Sequence, residues 1–441
     1  MRVLLTSFAL ASHYNCLVPL GWALAAAGHE VRVASQPSLT DAITASGLTA
    51  VPVGTDPELE EVRERPAAAM GPPQVHEDRD EPVTWEQALD FDMVIAPLLL
   101  AAINNTAMVD ELVGFARQWR PDLVIWEPFT LAGAIAAEAC GAVHARVMWG
   151  LDVLGSARRT FLDLRAEQPR AHWEDPVGEW LTLTLARYSR PFTEEVTTGR
   201  LTIDTTMPSS LRLPVGVPVV GMRTLPYNGR SVMPDWLAEA PRRPRVCFTL
   251  GGTGGDFLHD WALGPAELVR AAAELDVEVV ATLDAEQRAR LGEVPDNVRI
   301  VDFVPMNLLM PTCAAVVHHG GAGTFSAALL NGVPQLMVAN TWDTPVKAKR
   351  LADYGAGIYI PPPKLDAGGF RDAVATLVHE PGPRAAADRL RQEMLTEPTP
   401  AELVPRLERL VAMGRAGESG DDPGAIRDLG VAEPALGRPG G

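Results

Sequence analysis

Residues 318–326 read HHGGAGTFS, and they decide the fold because two different patterns meet there. The preceding residues 313–317 form a short apolar run that is typical of a buried parallel strand. Residues 327–330 continue as a helix, which the sequence Asn-Gly-Val-Pro at 331–334 ends. The glycines are therefore predicted to lie at a strand-to-helix turn of an α/β protein.

This turn has the chemistry of an anion site. Gly320, Gly321 and Gly323 let a ligand approach the main chain closely. Free N–H groups at the start of the helix favour a phosphate or pyrophosphate, to which Thr324 adds a hydroxyl and His319 an imidazole. A plain tight turn with a core histidine is the alternative, because a glycine-rich turn alone is weak evidence. The combination of histidine, glycines and threonine favours a phosphate site.

Length and charge limit the classes of protein to consider. A chain of 441 residues holds about two or three domains, and we prefer two for an α/β protein. The net charge of −18 argues against nucleic-acid binding through a basic face. The four cysteines form no CxxC pair, so we expect reduced thiols in a cytoplasmic protein. No apolar run of about 18 residues predicts a membrane span.

Strand and helix patterns alternate in each half of the chain. Residues 3–5, 20–27 and 29–34 predict a strand, a helix and a strand, with a loop at 6–19, which is a βαβ unit of a parallel sheet. Residues 85–119 are predicted to be helical with a break at Pro97. The predicted organisation is a Rossmann-like domain at residues 1–220, a linker at 221–244, a second Rossmann-like domain at 245–414 whose last helix packs back on the first, and a disordered tail at 415–441.

Two polar residues follow strands of the first half and could do chemistry. His13 lies in the loop after the first strand, where a neutral imidazole can take a proton from a hydroxyl near pH 7. Glu127 follows the strand at 122–125, and a carboxylate near His13 would orient the ring and stabilise its charged form. A solvated loop histidine and a helix-capping glutamate are the alternatives.

Further candidates follow strands of the second half. Asp343 can accept hydrogen bonds from sugar hydroxyls, and Trp342 offers an apolar face, although Asp343 could instead cap the next helix. Phe303 could stack on a base whose edge bonds the main chain near Val304, or Phe303 could belong to the core.

Taken together, these residues resemble the GT-B glycosyltransferases that use nucleotide sugars. Residues 303–343 match the box of plant secondary-product glucosyltransferases, which runs from aromatic-x-Pro through His-x-Gly-x-x-Ser/Thr to an acidic residue. The first half is similar to actinomycete macrolide glycosyltransferases of the desosaminyl- and mycaminosyltransferase type. That similarity is carried by Ser12-His13 with LVPL at 17–20, AGHEVRV at 27–33, GLTAVPVG at 47–54, RPDLVIWEP at 120–128 and WDT at 342–344. The fold implied is α/β, with two doubly wound Rossmann-like domains facing across a cleft.

The resemblance also implies roles for individual residues. His13 matches the catalytic base, and Glu127 falls where many relatives place an Asp partner. The implied donor-binding positions are His319, Gly321, Gly323 and Thr324 for the diphosphate, Phe303 and Val304 for the base, and Asp343 and Thr344 for the sugar. Thr344 departs from the plant pattern, which has Gln for glucose hydroxyls, and the shorter side chain suits a deoxysugar. No acidic cluster resembles a metal site, and no cofactor is implied beyond the dTDP-sugar as co-substrate.

The expected function is an inverting transfer of a deoxyaminosugar from a dTDP-sugar to a hydroxyl of a macrolactone in antibiotic biosynthesis. The first domain would bind the acceptor and the second the nucleotide sugar. The subfamily implies an auxiliary haem-less cytochrome-like activator, with the apolar residues 94–103 as its contact surface. The sequence leaves a homodimer open.

Three alternatives remain at this point. One is a transferase for a neutral deoxysugar or a non-macrolide acceptor. Another is a non-catalytic protein that binds nucleotide or macrolide, against which the presence of both His13 and Glu127 argues. The third is a dinucleotide oxidoreductase, which is disfavoured because no GxGxxG follows the first strand.

Overall fold

A computed structural model of the chain describes residues 1–58, 82–251, 261–283 and 285–416. Three sequence predictions therefore fall wholly or partly outside the described residues. Residues 56–84 are rich in Pro, Glu, Asp and Arg, which predicts a mobile excursion, and residues 251–255 predict a glycine loop after the strand at 246–250. Most of each of these two segments, and nearly all of the disordered tail predicted at 415–441, lies outside the described residues.

The described residues form two compact units, each built on its own parallel sheet. Unit 1 comprises Met1–Thr206, Arg212–Gly229 and the chain from Pro398, and unit 2 comprises Met207–Leu211 and Arg230–Glu397. Every strand pair in both sheets is parallel. The α/β class expected from the alternating patterns is confirmed.

The described part of unit 1 contains seven strands in the order β3-β2-β1-β4-β5-β6-β7. They are β1 Arg2–Thr6, β2 Glu30–Ser35, β3 Thr49–Pro52, β4 Leu123–Trp126, β5 Val143–Met148, β6 Thr202–Asp204 and β7 Val219–Gly221. Its helices are α1 Ala11–Tyr14, α2 Val18–Ala26, α3 Thr40–Ala45, α4 Trp85–Ile95, α5 Ala101–Ile103, α6 Thr106–Trp119, α7 Leu131–Cys140, α8 Val153–Ala166, α9 Pro176–Ala186, α10 Glu195–Thr198 and, at the end of the chain, α18 Pro400–Ala416. The order of strands reverses between β1 and β4, which makes their carboxyl ends the switch point where doubly wound sheets bind ligands.

Among the described residues of unit 2 there are six strands, in the order β10-β9-β8-β11-β12-β13. They are β8 Arg245–Thr249, β9 Glu278–Thr282, β10 Val298–Val301, β11 Cys313–His318, β12 Gln335–Val338 and β13 Gly357–Ile360. Its helices are α11 Pro265–Ala273, α12 Ala285–Leu291, α13 Met306–Leu309, α14 Ala322–Leu330, α15 Thr344–Asp353, α16 Ala367–His379 and α17 Pro381–Thr396. Here the switch point lies between β8 and β11, and the glycine turn follows β11.

The helix break expected at Pro97 lies elsewhere. A π turn, Ala96–Leu100, carries the helix past Pro97, because a wider turn tolerates a residue that cannot donate a main-chain hydrogen bond. The helix ends at Asn104, whose side chain bonds the carbonyl oxygens of Leu100 and Phe129. Among the described residues no single helix has the length and apolar character to cross a membrane; the bent pair Trp85–Ile103 and Thr106–Trp119 meets those criteria only together.

The last helix completes the core of unit 1. Leu403, Leu407 and Leu410 of α18 are buried in the same apolar cluster as Leu20 and Leu24 of α2. Their spacing places the three leucines on one face of the helix. The chain thus returns to unit 1 after all the strands of unit 2.

Candidate active site

His13 and Glu127 meet at the switch point of unit 1. Thr6 pairs with Trp126 in the register of β1 and β4, so the two strands end at the same level of the sheet. His13 lies on the short helix α1, within residues expected to form a loop, and Glu127 directly follows β4. The His13 Nδ1 atom is 3.2 Å from Glu127 Oε2, and both side chains are buried. His13 is therefore not a solvated loop histidine.

The Glu127 carboxylate accepts hydrogen bonds at both oxygens. Oε2 accepts from Trp149 Nε1 at 2.8 Å and from the Phe129 main-chain N–H at 3.1 Å, and Oε1 accepts from the Thr130 hydroxyl. Burial raises the pKa of Glu127, but the bonds from His13, Thr130 and Phe129 outweigh burial and leave this pKa below its ordinary value. Glu127 is thus a buried carboxylate at neutral pH. The helix that follows, α7, has Thr130 at its N-cap, so Glu127 does not occupy the cap position.

Three aromatic rings surround the His13 imidazole. Phe8 presents its edge at a centroid distance of 4.7 Å, Phe129 lies at 5.4 Å, and Trp149 lies at 4.0 Å with a tilt of 34°. With Nδ1 donating to the carboxylate, the lone pair of the neutral ring is on Nε2. No hydrogen bond joins Nε2 to the described part of the chain. This arrangement can take a proton from a hydroxyl while the carboxylate stabilises the resulting imidazolium.

Sequence reasoning missed Trp149. The residue directly follows β5, which pairs with β4, so it lies at the same edge of the sheet as Glu127. Glu127 was predicted as a candidate because a polar group directly after a buried parallel strand lies at the ligand-binding edge of the sheet. The same argument applies to Trp149, whose indole carries an N–H donor. That signal was present in the sequence at residues 143–149.

In unit 2 the core histidine of the glycine turn is His318. Its Nδ1 accepts the Gly320 N–H at 3.1 Å and its Nε2 donates to Gln335 Oε1 at 2.8 Å. Burial lowers the pKa of His318 to about 3, so the ring is neutral. Gly320 has a φ of 102°, and a Cβ there would lie 2.8 Å from Thr344 Cβ. His318 and Gly320 therefore fix the shape of the turn.

The neighbouring residues leave room in front of helix α14. Gly321 is the N-cap of α14 and no side chain caps this end. A Cβ on Gly323 would have no neighbour within 4 Å, which indicates open space at the first turn. His319 lies beside Gly251, the residue that follows Leu250 after β8, and burial and the Lys347 charge lower the pKa of His319 to about 4. A neutral His319, the Thr324 hydroxyl and the N–H groups of the first turn can bind a phosphate group.

Asp343 lies in a buried ion pair that the sequence analysis did not anticipate. Its carboxylate is 2.9 Å from Lys347 Nζ, one turn later on α15. Asp343 occupies the N-cap position but makes no capping hydrogen bond with its side chain. The Thr344 hydroxyl donates to the Thr341 carbonyl oxygen at 2.5 Å and accepts from the Thr341 N–H, so Thr344 closes this turn. The pair with Lys347 fixes the Asp343 carboxylate.

Phe303 and Val304 have opposite environments. Phe303 is 55% exposed, which excludes the alternative that it belongs to the core. Val304 is buried with Leu309 and Val316, so its side chain anchors the segment. An exposed ring next to an anchored main chain can receive a planar base.

One group of described residues has the spacing of metal ligands. Ligand atoms of Glu138, His144 and Glu195 lie within 4.8 Å of one another. However, the Trp126 indole donates to His144 Nδ1 at 3.1 Å, so the neutral ring carries its proton on Nε2, the atom that faces the carboxylates. The group is better described as a protonated Nε2 between two acceptors than as a metal centre.

Comparison with known proteins also divides the chain into an N-terminal and a C-terminal part, with bounds that differ from those of the two units. The sequence matches the family described as erythromycin biosynthesis protein CIII-like, with its N-terminal domain at residues 22–251 and its C-terminal domain at residues 266–410. It is 55% identical over 419 residues to the 10-deoxymethynolide desosaminyltransferase of Streptomyces venezuelae, covering 94% of this chain and 98% of the relative. It is 52% identical over 431 residues to the tylactone mycaminosyltransferase of Streptomyces fradiae, covering 96% and 95%.

A solved structure agrees with these relatives. The crystal structure of the glycosyltransferase VinC in complex with dTDP matches with a TM-score of 0.86 at 44% identity, covering 93% of this chain and all of VinC. The chain therefore belongs to the erythromycin biosynthesis protein CIII-like family and is a glycosyltransferase of the GT-B class. This membership excludes the alternatives of a non-catalytic binding protein and a dinucleotide oxidoreductase.

Proposed function

We propose that this protein transfers a deoxyaminosugar of the desosamine or mycaminose type from a dTDP-sugar to a hydroxyl of a macrolide aglycone in antibiotic biosynthesis. The observation that carries the proposal is the buried His13–Glu127 couple in a chain whose relatives are named as desosaminyl- and mycaminosyltransferases. The named dTDP complex of VinC supports the choice of nucleotide.

The acceptor hydroxyl is activated in unit 1. His13 Nε2 takes the hydroxyl proton as the oxygen attacks the anomeric carbon of the donor sugar. The new carbon–oxygen bond forms on the face opposite the breaking bond to the diphosphate, which inverts the anomeric configuration. Glu127 stabilises the imidazolium that results, because its carboxylate faces Nδ1 and is charged at neutral pH.

The departing dTDP is stabilised in unit 2. Its diphosphate takes negative charge as the bond to the sugar breaks, and the N–H groups at Gly321, Gly323 and Thr324 face that charge together with the positive end of the α14 dipole. His319 is neutral here, so it donates an N–H to the diphosphate without carrying a charge. No metal and no further cofactor takes part in this proposal.

The remaining donor positions hold the nucleoside and the sugar. Thymine stacks on the exposed Phe303 ring, and its edge bonds the main chain at Val304. The Asp343 carboxylate, oriented by Lys347, accepts hydroxyls of the sugar. The Thr344 hydroxyl is already hydrogen-bonded to Thr341. Thr344 therefore favours a sugar that lacks hydroxyls because its side chain is short, and not because it forms a hydrogen bond to the sugar.

An auxiliary haem-less cytochrome-like activator is part of the proposal. Half of the apolar segment 94–103 is buried in unit 1, so the contact surface for the activator is formed by the remaining residues of the segment and by Met93 of α4, which is 54% exposed. The residues of the segment that are not buried are Val94, Pro97, Leu98, Ala101 and Ala102. The enzyme is proposed to act in the cytoplasm, as a monomer or a homodimer.

A panel of donors and acceptors tests the proposal. The protein would be incubated with dTDP-desosamine, dTDP-mycaminose or dTDP-rhamnose and with macrolactone or non-macrolide aglycones, with and without an auxiliary protein, and the products analysed by mass spectrometry. A mass increase of one aminosugar on a macrolactone is expected, with the anomeric configuration by NMR opposite to that of the donor. Transfer of rhamnose only, or to non-macrolide acceptors only, would replace the proposal by the corresponding alternative.

A further inference from the structure

Trp149 contacts both members of the His13–Glu127 couple. Its indole Nε1 donates to Glu127 Oε2 at 2.8 Å, and this is the oxygen that His13 Nδ1 approaches at 3.2 Å. Its ring also packs on the imidazole, with centroids 4.0 Å apart and a tilt of 34°. A single side chain therefore bonds the carboxylate and covers one face of the base.

We propose that Trp149 is a positioning residue of the transfer reaction, which fixes the Glu127 carboxylate through its N–H and the His13 ring through its indole face. This inference rests on the proposed function in one respect, the assignment of His13 as the base. Trp149 does not touch the reacting atoms; it acts through the two residues that it contacts.

The two contacts have separate physical effects. The indole N–H takes up part of the negative charge of Oε2, so less of that charge is available to stabilise an imidazolium at His13. The indole face attracts the same imidazolium and prevents the ring from turning away from the acceptor. Loss of the N–H should therefore change the pH at which His13 takes a proton, whereas loss of the face should mainly change how well Nε2 is aimed.

Other titratable groups near His13 do not obscure this effect. Glu127, which directly follows β4, is the acid that faces the His13 ring, and its pKa lies below its ordinary value. Cys16 donates its thiol to the His13 carbonyl oxygen, and burial raises the pKa of that thiol to about 12. Tyr14 is bonded to Ser46, and burial raises its pKa to about 12 as well. Neither Cys16 nor Tyr14 therefore changes its charge near neutral pH, so a change in the pH profile is not due to either group.

Two substitutions separate the contacts. Trp149→Phe retains an aromatic face and removes the N–H. Trp149→Gln removes the aromatic face but keeps an N–H donor, because the amide nitrogen of glutamine lies as many bonds from Cα as the indole nitrogen of tryptophan. Trp22→Phe is the control, because it also removes one indole hydrogen bond in unit 1, to the Ser46 carbonyl oxygen, away from the couple.

The first measurement is the pH profile of sugar transfer. In W149F the plateau of kcat should stay close to the wild type, because the indole-like face that aims Nε2 is kept. In W149Q the plateau should fall roughly ten- to hundredfold, because that face is lost, with KM for both substrates nearly unchanged. The acid limb of the kcat profile should move to higher pH in W149F and return towards the wild-type position in W149Q. W22F should keep the wild-type profile.

The second measurement does not depend on transfer. The ring signals of isotopically labelled histidines are titrated by NMR, and His13 is assigned by its loss in H13N. A displaced His13 midpoint in W149F, but not in W149Q or W22F, is expected. If the wild-type protein transfers no sugar and this displacement is found, the proposed function fails while the positioning of His13 by Trp149 stands.

Two results would overturn the inference. One is a W149F protein whose His13 midpoint and pH profile match the wild type. The other is an equal displacement in W149F and W149Q, since the N–H would then not be responsible. If W149F does not fold, as judged by circular dichroism, W149Q is compared with Trp149→Met. The methionine side chain has about the same length as glutamine and has no N–H donor, so a displaced His13 midpoint in W149M but not in W149Q gives the same decision.

Discussion

His13 Nδ1 lies 3.2 Å from Glu127 Oε2, although 114 positions separate the two residues in the chain. The sheet order explains this contact, because β1 and β4 are neighbours at the point where the strand order reverses. Each residue follows its strand in the chain, so the topology brings an imidazole and a carboxylate together at one edge of the sheet.

The first prediction concerns the base. His13→Ala should lower the rate of sugar transfer by about 10²- to 10⁴-fold, because it removes the proposed general base that is paired with Glu127. Initial rates by liquid chromatography and mass spectrometry would measure this. His172→Ala, at an exposed position of the same unit, should behave as the wild type. A His13→Ala protein with most of its turnover would remove His13 from the mechanism.

A pair of glycines tests whether the open space at α14 holds the diphosphate. Gly323→Ala should improve the intrinsic helix propensity by about 0.5–1 kcal/mol, yet weaken dTDP binding, because the new methyl group enters the space in front of the helix. Gly320→Ala should instead destabilise unit 2, since its φ is 102° and its Cβ would clash with Thr344. Thermal melting and calorimetric titration with dTDP separate the two effects. Unchanged dTDP affinity in G323A would place the diphosphate elsewhere.

The buried ion pair on α15 gives a third prediction. Lys347→Met should cost about 3–5 kcal/mol of the free energy of unfolding, because it leaves the Asp343 carboxylate buried without this cation. Lys349→Met, two residues away and half-buried, is the matched control. In the double variant D343N/K347M much of the loss should be recovered, as chemical denaturation would show. Equal losses in the single and double variants would contradict a coupled pair.

The fourth prediction is a pH dependence of stability in unit 1. Asp92 on α4 is buried 3.6 Å from Arg158, whose guanidinium also binds Asp175 and Glu194. Burial raises the pKa of Asp92 to about 7, against the opposing effect of Arg158. In the unfolded state Asp92 has its ordinary pKa of 3.8. Between about pH 4 and pH 7 the folded state therefore keeps the Asp92 proton, whereas the unfolded state has lost it. Stability from this group falls as pH rises from about 4 to 7, and the loss is complete above 7.

Asp92→Asn should abolish this loss. The variant should be more stable than the wild type at pH 8 by about 1–4 kcal/mol, with a smaller advantage at pH 5. Denaturation midpoints at the two pH values measure the difference. Asp90→Asn, exposed on the same helix, should show no such dependence. An advantage of D92N that does not grow with pH would show that Asp92 is ionised in the folded protein throughout.

The fold and part of the candidate site could be predicted because the signals are local. Residues 313–330 contain a buried strand, a glycine turn and a helix in one short segment, and the structure has β11 and α14 there. His13 and Glu127 can be identified from the sequence because His13 lies in the segment that follows β1 and Glu127 directly follows β4, at the sheet edge where doubly wound proteins bind ligands. The prediction of a helix break at Pro97 is wrong, because a π turn continues the helix as far as Asn104. The bond from Asn104 to the Phe129 carbonyl oxygen depends on packing against another segment, which the local sequence does not encode.

By itself the sequence determined the α/β class, the repeated alternation and the positions of the two candidate centres, since strand periodicity and glycine turns are encoded by neighbouring residues. Only the tertiary structure decided that Trp149 bonds the same carboxylate oxygen as His13, and that His318 holds the glycine turn by bonds to Gln335 and the Gly320 N–H. It also decided that Lys347 neutralises Asp343 in the interior. These relationships depend on burial and on the direction of side chains in three dimensions, which set the donors and charges that each group meets.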